Sequence, residues 1–132
     1  MSEDESSPDE QNLAIRVMPG PADTNASDDV FGGWIMSQVD IAGSIVARRR
    51  AQGRIVTVAV NAFQFHQPVF VGDLISCYAE ITRVGRTSIT VHVTAYAERR
   101  GERGDAIQVT EADVTYVAVD ENRRSRPLPQ QG

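Results

Sequence analysis

Among the side chains able to do chemistry, Asp40 has the most suggestive setting. At about 100° per residue, the helical arc within about 60° of it holds Gly33, Met36, Ser37, Gly43, Ser44 and Ala47. Trp34, Ile35, Val39, Ile41, Ile45 and Val46 lie elsewhere, so the carboxylate sits on a stripe of small residues. Such a stripe admits another backbone, a second subunit or a thin ligand, and leaves a carboxylate room to act. A solvated aspartate on an amphipathic helix fits the same position, and the spacing alone leaves both readings open. His66 and His92 have no CxxC or HExxH partner, which disfavours a zinc site. His92 reads as the polar side of a strand, and His66, within Phe65-His66-Gln67-Pro68, as either a pocket wall or a strand cap. Cys77 has no local base and reads as a buried thiol. No GxSxG, GxxxxGK[ST] or GxGxxG occurs, which removes the serine-hydrolase elbow and the phosphate-cradling loops. The GxxG at Gly101–Gly104 joins two strands and reads as a turn.

To hold Asp40 in place, the chain offers one helix and a set of strands. Gly33 to Gln52 suits a helix, with Gly53 placed as a C′ glycine and Arg48, Arg49 and Arg50 favouring the negative end of the dipole. Leu13 to Met18 is a short first strand, closed by Pro19-Gly20-Pro21, and Ala22 to Asp29 is a polar loop. Ile55–Phe65, Leu74–Thr82, the alternating Ile89–Ala97 and Ile107–Val119 read as four more strands, with turns at Val84–Thr87 and Arg99–Asp105. The order β-α-β-β-β-β predicts an α+β domain whose antiparallel sheet covers the helix.

The 132 residues and 41% apolar content suit one domain. Glu3, Asp4, Glu5, Asp9 and Glu10 account for the net charge of −5, because residues 13–132 balance 13 acids against 13 bases. That neutral body argues against the broad basic surface of a nucleic-acid binder. All 13 bases are arginine, for which codon usage is the simpler explanation. Residues 1–12 read as a disordered acidic tail, 13–122 as the domain and 123–132 as an extended tail that leaves the sheet. The single cysteine cannot form an intrachain disulfide, the N-terminus opens with acids, and no apolar run nears the ~20 residues of a membrane span. These features point to a cytoplasmic protein with no membrane contact.

Longer motifs carry a resemblance. The runs Pro21–Asn25, Asp29-Val30-Phe31-Gly32-Gly33-Trp34-Ile35-Met36-Ser37-Gln38-Val39-Asp40 and Gly53–Val60 resemble hotdog-fold acyl-CoA thioesterases of the YciA type. Phe65 with Pro68-Val69, Val71-Gly72-Asp73, Cys77-Tyr78, Val84–Ser88 and Arg124-Ser125-Arg126 continue the likeness in order, from Leu13 to Pro129. The resemblance implies a curved antiparallel sheet of five to six strands wrapped around one long central helix. It implies hydrolysis of acyl-CoA to free acid and coenzyme A at a dimer interface, without metal or cofactor, in a homo-oligomer that is at least a dimer and by resemblance a trimer of dimers.

Carried over by position, the catalytic carboxylate falls on Asp40, as general base or direct nucleophile. Gly32 and Gly33 precede the helix, where free N–H groups can hold an oxyanion, and Asp29 takes a supporting role from the partner subunit. Arg86, Thr87 and Ser88 match the segment associated with coenzyme A, as does Arg126, although the first three also suit an ordinary turn. Asn25 belongs to the substrate loop, and Phe31, Phe65 and Pro68 line the pantetheine or acyl path or serve as core. The chain departs from the family where Ser27-Asp28 replaces Asn-Gly, Asn61 replaces a frequent acid and Ser44 replaces alanine. Two alternatives stand beside hydrolysis: a non-catalytic acyl-CoA sensor, and another hotdog enzyme such as an enoyl-CoA hydratase, which usually needs a helix histidine absent here.

Overall fold

The alternation from Ile89 to Ala97 has the consequence its period dictates. In the computed structural model, which describes residues 9–99 and 106–131, Ile89, Val91, Val93, Ala95 and Ala97 are fully buried on one face of a strand. That strand is β4 (Ser88–Glu98), flanked in the sequence by β1 (Leu13–Val17), α1 (Gly32–Ala51), β2 (Ile55–Phe65), β3 (Leu74–Val84) and β5 (Ile107–Ala118). The five strands form one antiparallel sheet in the order β1-β3-β4-β5-β2. Helix α1 lies across its inner face, burying Ile35, Val39, Ala42, Gly43, Ala47 and Ala51. This is the expected α+β arrangement, with five strands among the described residues.

Register shifts bend the sheet around the helix. Strand β2 carries two, between Thr57 and Ala59 and between Asn61 and Gln64, and Ala62 in the second adopts φ 53°. Each inserts an unpaired residue and adds twist, so the strand curls instead of running flat. Strand β2 is also an edge, which leaves one side of its backbone without a partner strand.

Three local expectations are corrected. The helix runs one residue earlier than read, and its left-handed cap is Gln52 (φ 54°, ψ 45°) instead of Gly53. Gly53 is glycine first for its backbone, which sits at φ 155°, and a Cβ there would also sit 2.9 Å from Nη2 of Arg126. The segment after Asp120 stays on the domain, since Ser125 bridges Val119 and the amides of Arg126 and Leu128 donate to the carbonyls of Ala118 and Arg86. Glu10–Asn12, read as tail, forms a 3-10 turn capped by Asp9, and Glu10 accepts from the Tyr78 hydroxyl at 3.1 Å. The rest of the acidic tail, the turn around Gly101–Gly104 and the C-terminal Gly132 lie outside the described residues.

Cys77 is fully buried in the core, and burial pushes its thiol up to about 12 from an ordinary 9.0. The folded chain therefore keeps a proton that the unfolded chain loses between about pH 9 and 12, so stability falls as pH rises through that window. Buried Tyr116 acts in the same direction. Native protein at pH 8 is expected to give almost no reaction with a disulfide thiol reagent, and one equivalent after unfolding. Full native reactivity would place Cys77 at the surface.

Candidate active site

Asp40 stands midway along α1, where strands β2 and β5 supply the groups that hold it. Its Oδ1 accepts from Thr57 Oγ1 at 2.9 Å and from the Tyr116 hydroxyl at 3.1 Å. The same hydroxyl donates to the Asp40 carbonyl oxygen at 2.8 Å. Oδ2 finds no donor among the described residues, and Asp40 borders a pocket of about 220 Å³ with Met36, Ser37, Val60 and Phe63. Burial, then the Asp40 charge, push the Tyr116 hydroxyl up, so it stays a proton donor. The stripe of small residues divides in two. Gly43 and Ala47 pack inward, whereas Gly33, Met36 and Ser37 face outward.

A second cleft, about 330 Å³, opens at the helix N-terminus and brings together Asn25, Asp29, Gly32, Phe65 and Pro68. Phe31 caps the helix start without a side-chain hydrogen bond, so the N–H groups of Gly32 and Gly33 find no acceptor among the described residues. Exposed Phe31 flanks this end. Asn25 shapes the loop: its Oδ1 accepts from the amides of Ser27 at 2.8 Å and Asp29 at 3.2 Å. Asp28 adopts the left-handed conformation at φ 69°.

The opposite wall is braced by Asp73, 2% exposed, which accepts from the Phe70 amide and from Arg99 Nη1. Arg99 also donates to the Pro68 carbonyl at 3.2 Å and lies over the Phe70 ring. His66 is indeed part of the cleft wall. Its Nε2 meets Glu111 at 2.8 Å, Glu111 lies 3.4 Å from His92, and His92 Nδ1 meets Asp113 at 2.7 Å, so these four side chains tie the segment just past β2 to β4 and β5. Among the described residues no group of three or more His, Cys, Asp or Glu side chains is arranged to hold a metal ion.

The remaining assigned residues lie at the far end of α1, about 30 Å from the cleft at 1.5 Å per residue. Arg86 and Thr87 lie in the β3–β4 turn and Ser88 opens β4; the Thr87 carbonyl accepts from Ala118, and the Arg86 side chain is exposed. Arg126 is committed to the fold. Its Nε donates to Val119 and its Nη2 to Ala51 and Arg54, which caps the helix C-terminus and leaves only Nη1 for a ligand. Reading the sequence did not single out Thr57 or Tyr116. Their direct pairing across β2 and β5 brings both hydroxyls to Asp40, and no local sequence pattern marks it.

One face of this assembly is apolar and open. Val58 is 54% exposed, Ile41 48% and Met36 44%, along the β2 edge and the outer side of α1. A helix apolar on both sides needs cover on both.

Residues 28–103 match the thioesterase superfamily. The chain is 46% identical over 122 residues to the acyl-CoA thioester hydrolase YciA of Salmonella typhimurium, covering 91% of this chain and 92% of that one. A hexameric thioesterase from Yersinia pestis superposes with a TM-score of 0.87 at 46% identity, over 90% of this chain and 97% of that one. A hexameric broad specificity acyl-coenzyme A thioesterase, solved as an aspartate-to-alanine mutant, superposes with a TM-score of 0.86 at 45% identity, over 90% and 87%.

Proposed function

The chain belongs to the thioesterase superfamily, among the acyl-CoA thioester hydrolases of the YciA type, and we propose that it hydrolyses acyl-CoA at a site shared by two subunits, with Asp40 driving the attack. One observation carries the shared site. Gly33 and Asp40 are seven residues apart on one helix, about 10 Å along its axis. Attacking group and oxyanion donors must both lie within about 3 Å of the reacting carbonyl group. A chain that cannot bring its own pair to one thioester can do so with a two-fold partner.

Pairing across the β2 edge supplies that geometry. Antiparallel β2 strands set the Phe65 end of one chain, with its cleft, beside the Ile55 end of the other, where the Arg86 turn lies. The open apolar face is covered in the same step. The hexameric relatives support a homo-oligomer, and we read the assembly as a trimer of dimers.

In this reading the acyl-CoA thioester enters the cleft of one chain, and its carbonyl oxygen meets the N–H groups of Gly32 and Gly33 there. Asp40 of the second chain, through the free Oδ2, takes a proton from a water in the adjoining pocket. The water oxygen bonds to the acyl carbon as the C–S bond breaks, and charge on the carbonyl oxygen is collected by the two N–H groups. Coenzyme A leaves as thiolate and is protonated. Asp29, at the cleft mouth, keeps the loop in place, and Phe31, Phe65 and Pro68 line the acyl or pantetheine path. The guanidinium of Arg86, with Thr87 and Ser88, meets the phosphates of the nucleotide end. The chain's own groups suffice, with coenzyme A present only as part of the substrate. No helix among the described residues is long and apolar enough to cross a membrane. The one cysteine, a buried free thiol, suits a reducing compartment such as the cytoplasm.

The test is release of free thiol from acyl-CoAs of rising chain length. Turnover is expected, with the panel reporting chain preference; saturable binding without thiol release would make the protein a sensor.

A further inference from the structure

We infer that Tyr116 is a positioning residue for this reaction: its hydroxyl fixes Asp40 so that Oδ2 is the oxygen presented to the reacting atoms, and Gly43 is glycine to admit that hydroxyl. The inference rests on Asp40 being the attacking carboxylate.

The Tyr116 hydroxyl reaches two oxygens of the same residue, the Asp40 carbonyl at 2.8 Å and Oδ1 at 3.1 Å. A donor that bridges main chain and side chain of one residue locks the first side-chain torsion, because rotation would break the bridge. Thr57 adds a second donor to Oδ1 at 2.9 Å. The two differ in what can replace them. Thr57 is exposed in the single chain, where water can reach the place of its hydroxyl, whereas Tyr116 has no exposed surface and nothing can substitute for it.

Gly43 supports the same reading from the other side. Glycine in a helix interior is unfavourable relative to alanine, yet a Cβ there would collide with the Tyr116 hydroxyl. The nearest ring carbons would lie at 3.2 Å, a contact that a shift of a few tenths of an ångström relieves. The hydroxyl is therefore the atom that demands glycine most strongly. Two residues far apart in the sequence are explained by one task, holding a carboxylate oxygen still.

The experiment compares Tyr116→Phe, Gly43→Ala and the double variant Tyr116→Phe/Gly43→Ala with wild type and Asp40→Asn, measuring kcat, KM, thermal unfolding and assembly. Tyr116→Phe and Gly43→Ala are each expected to lower kcat by roughly 10- to 100-fold with KM changed less than about twofold. The double variant is expected to recover thermal stability, because the new methyl fills the space of the missing hydroxyl, but not kcat. Tyr116→Phe in an Asp40→Asn background is expected to cost little more, since a residue acting through Asp40 has nothing left to position. Recovery of kcat together with stability in the double variant would assign Tyr116 to packing alone and overturn the proposal. Unchanged kcat in Tyr116→Phe, beside an inactive Asp40→Asn, would overturn it while leaving Asp40 in place. An active Asp40→Asn would remove the reading beneath it.

Discussion

Asp40→Asn is expected to lose about 10²- to 10⁴-fold in kcat, the range of a general base, while the protein folds, assembles and binds coenzyme A as before. The substitution keeps size and shape. The side-chain oxygen can still accept from Thr57 and Tyr116, which hold Oδ1 at 2.9 and 3.1 Å. What changes is the other position, where an amide NH₂ replaces the free carboxylate oxygen and cannot take a proton. Because the residue borders a pocket of its own and not the N-terminal cleft, the affinity for coenzyme A should stay within a few-fold. Thiol release gives the first quantity and calorimetric titration with coenzyme A the second. Wild-type turnover in Asp40→Asn would move the base to another residue, and a parallel loss of binding would turn Asp40 into a substrate contact.

Val58→Asp is expected to break the assembly and, with it, essentially all turnover. In the isolated chain this is a mild change, since Val58 is 54% exposed on an edge strand and surface substitutions usually fall within about 0.5 kcal/mol. In a two-fold pair across β2 the same carboxylate is buried twice without a partner, and each burial costs several kcal/mol by the usual solvation penalty. Light scattering should therefore report smaller particles. Thiol release should fall at least 100-fold although Asp40, Gly32 and Gly33 are intact, because no cleft then faces a carboxylate. A variant of unchanged mass and activity would place the apolar face outside the interface.

Legibility followed the range of the signal. Period two exposed β4, and the helix came from its C-terminal signals, with a period of 3.6 isolating Asp40 on it, because all of these are local. The link from Asp40 to Tyr116 spans 76 residues and depends on the register Thr57↔Tyr116, which local patterns do not encode. Asn25, Asp29, Gly32, Phe65 and Pro68 meet in one cleft although they come from two separated segments, and the family resemblance named them where spacing could not. Arg126 shows the opposite difficulty. A guanidinium at the chain end reads as a phosphate ligand, but the carbonyls of Val119, just past β5, and of Ala51, at the helix end, claim two of its nitrogens. Gln52 takes the left-handed cap, and Gly53 after it stands at φ 155°, a conformation that side chains rarely adopt. Asp28 adopts φ 69°, aspartate being among the residues that tolerate φ > 0.

The central claim is that one active site takes its oxyanion donors from one chain and its carboxylate from another. A Cβ at Gly33 would meet nothing within 4 Å in the protomer, so Gly33→Leu should fold normally and block only the approach to the cleft. Asp40→Asn and Gly33→Leu are each expected to be inactive alone. Co-expressed with separate affinity tags and purified through both, mixed assemblies contain sites whose cleft and carboxylate are both intact. An equal, random mixture should recover about a quarter of wild-type turnover, the fraction of shared sites that escape both lesions. A mixed assembly that shows no more than the sum of its inactive parents would mean that each chain holds a complete site, and would contradict the account.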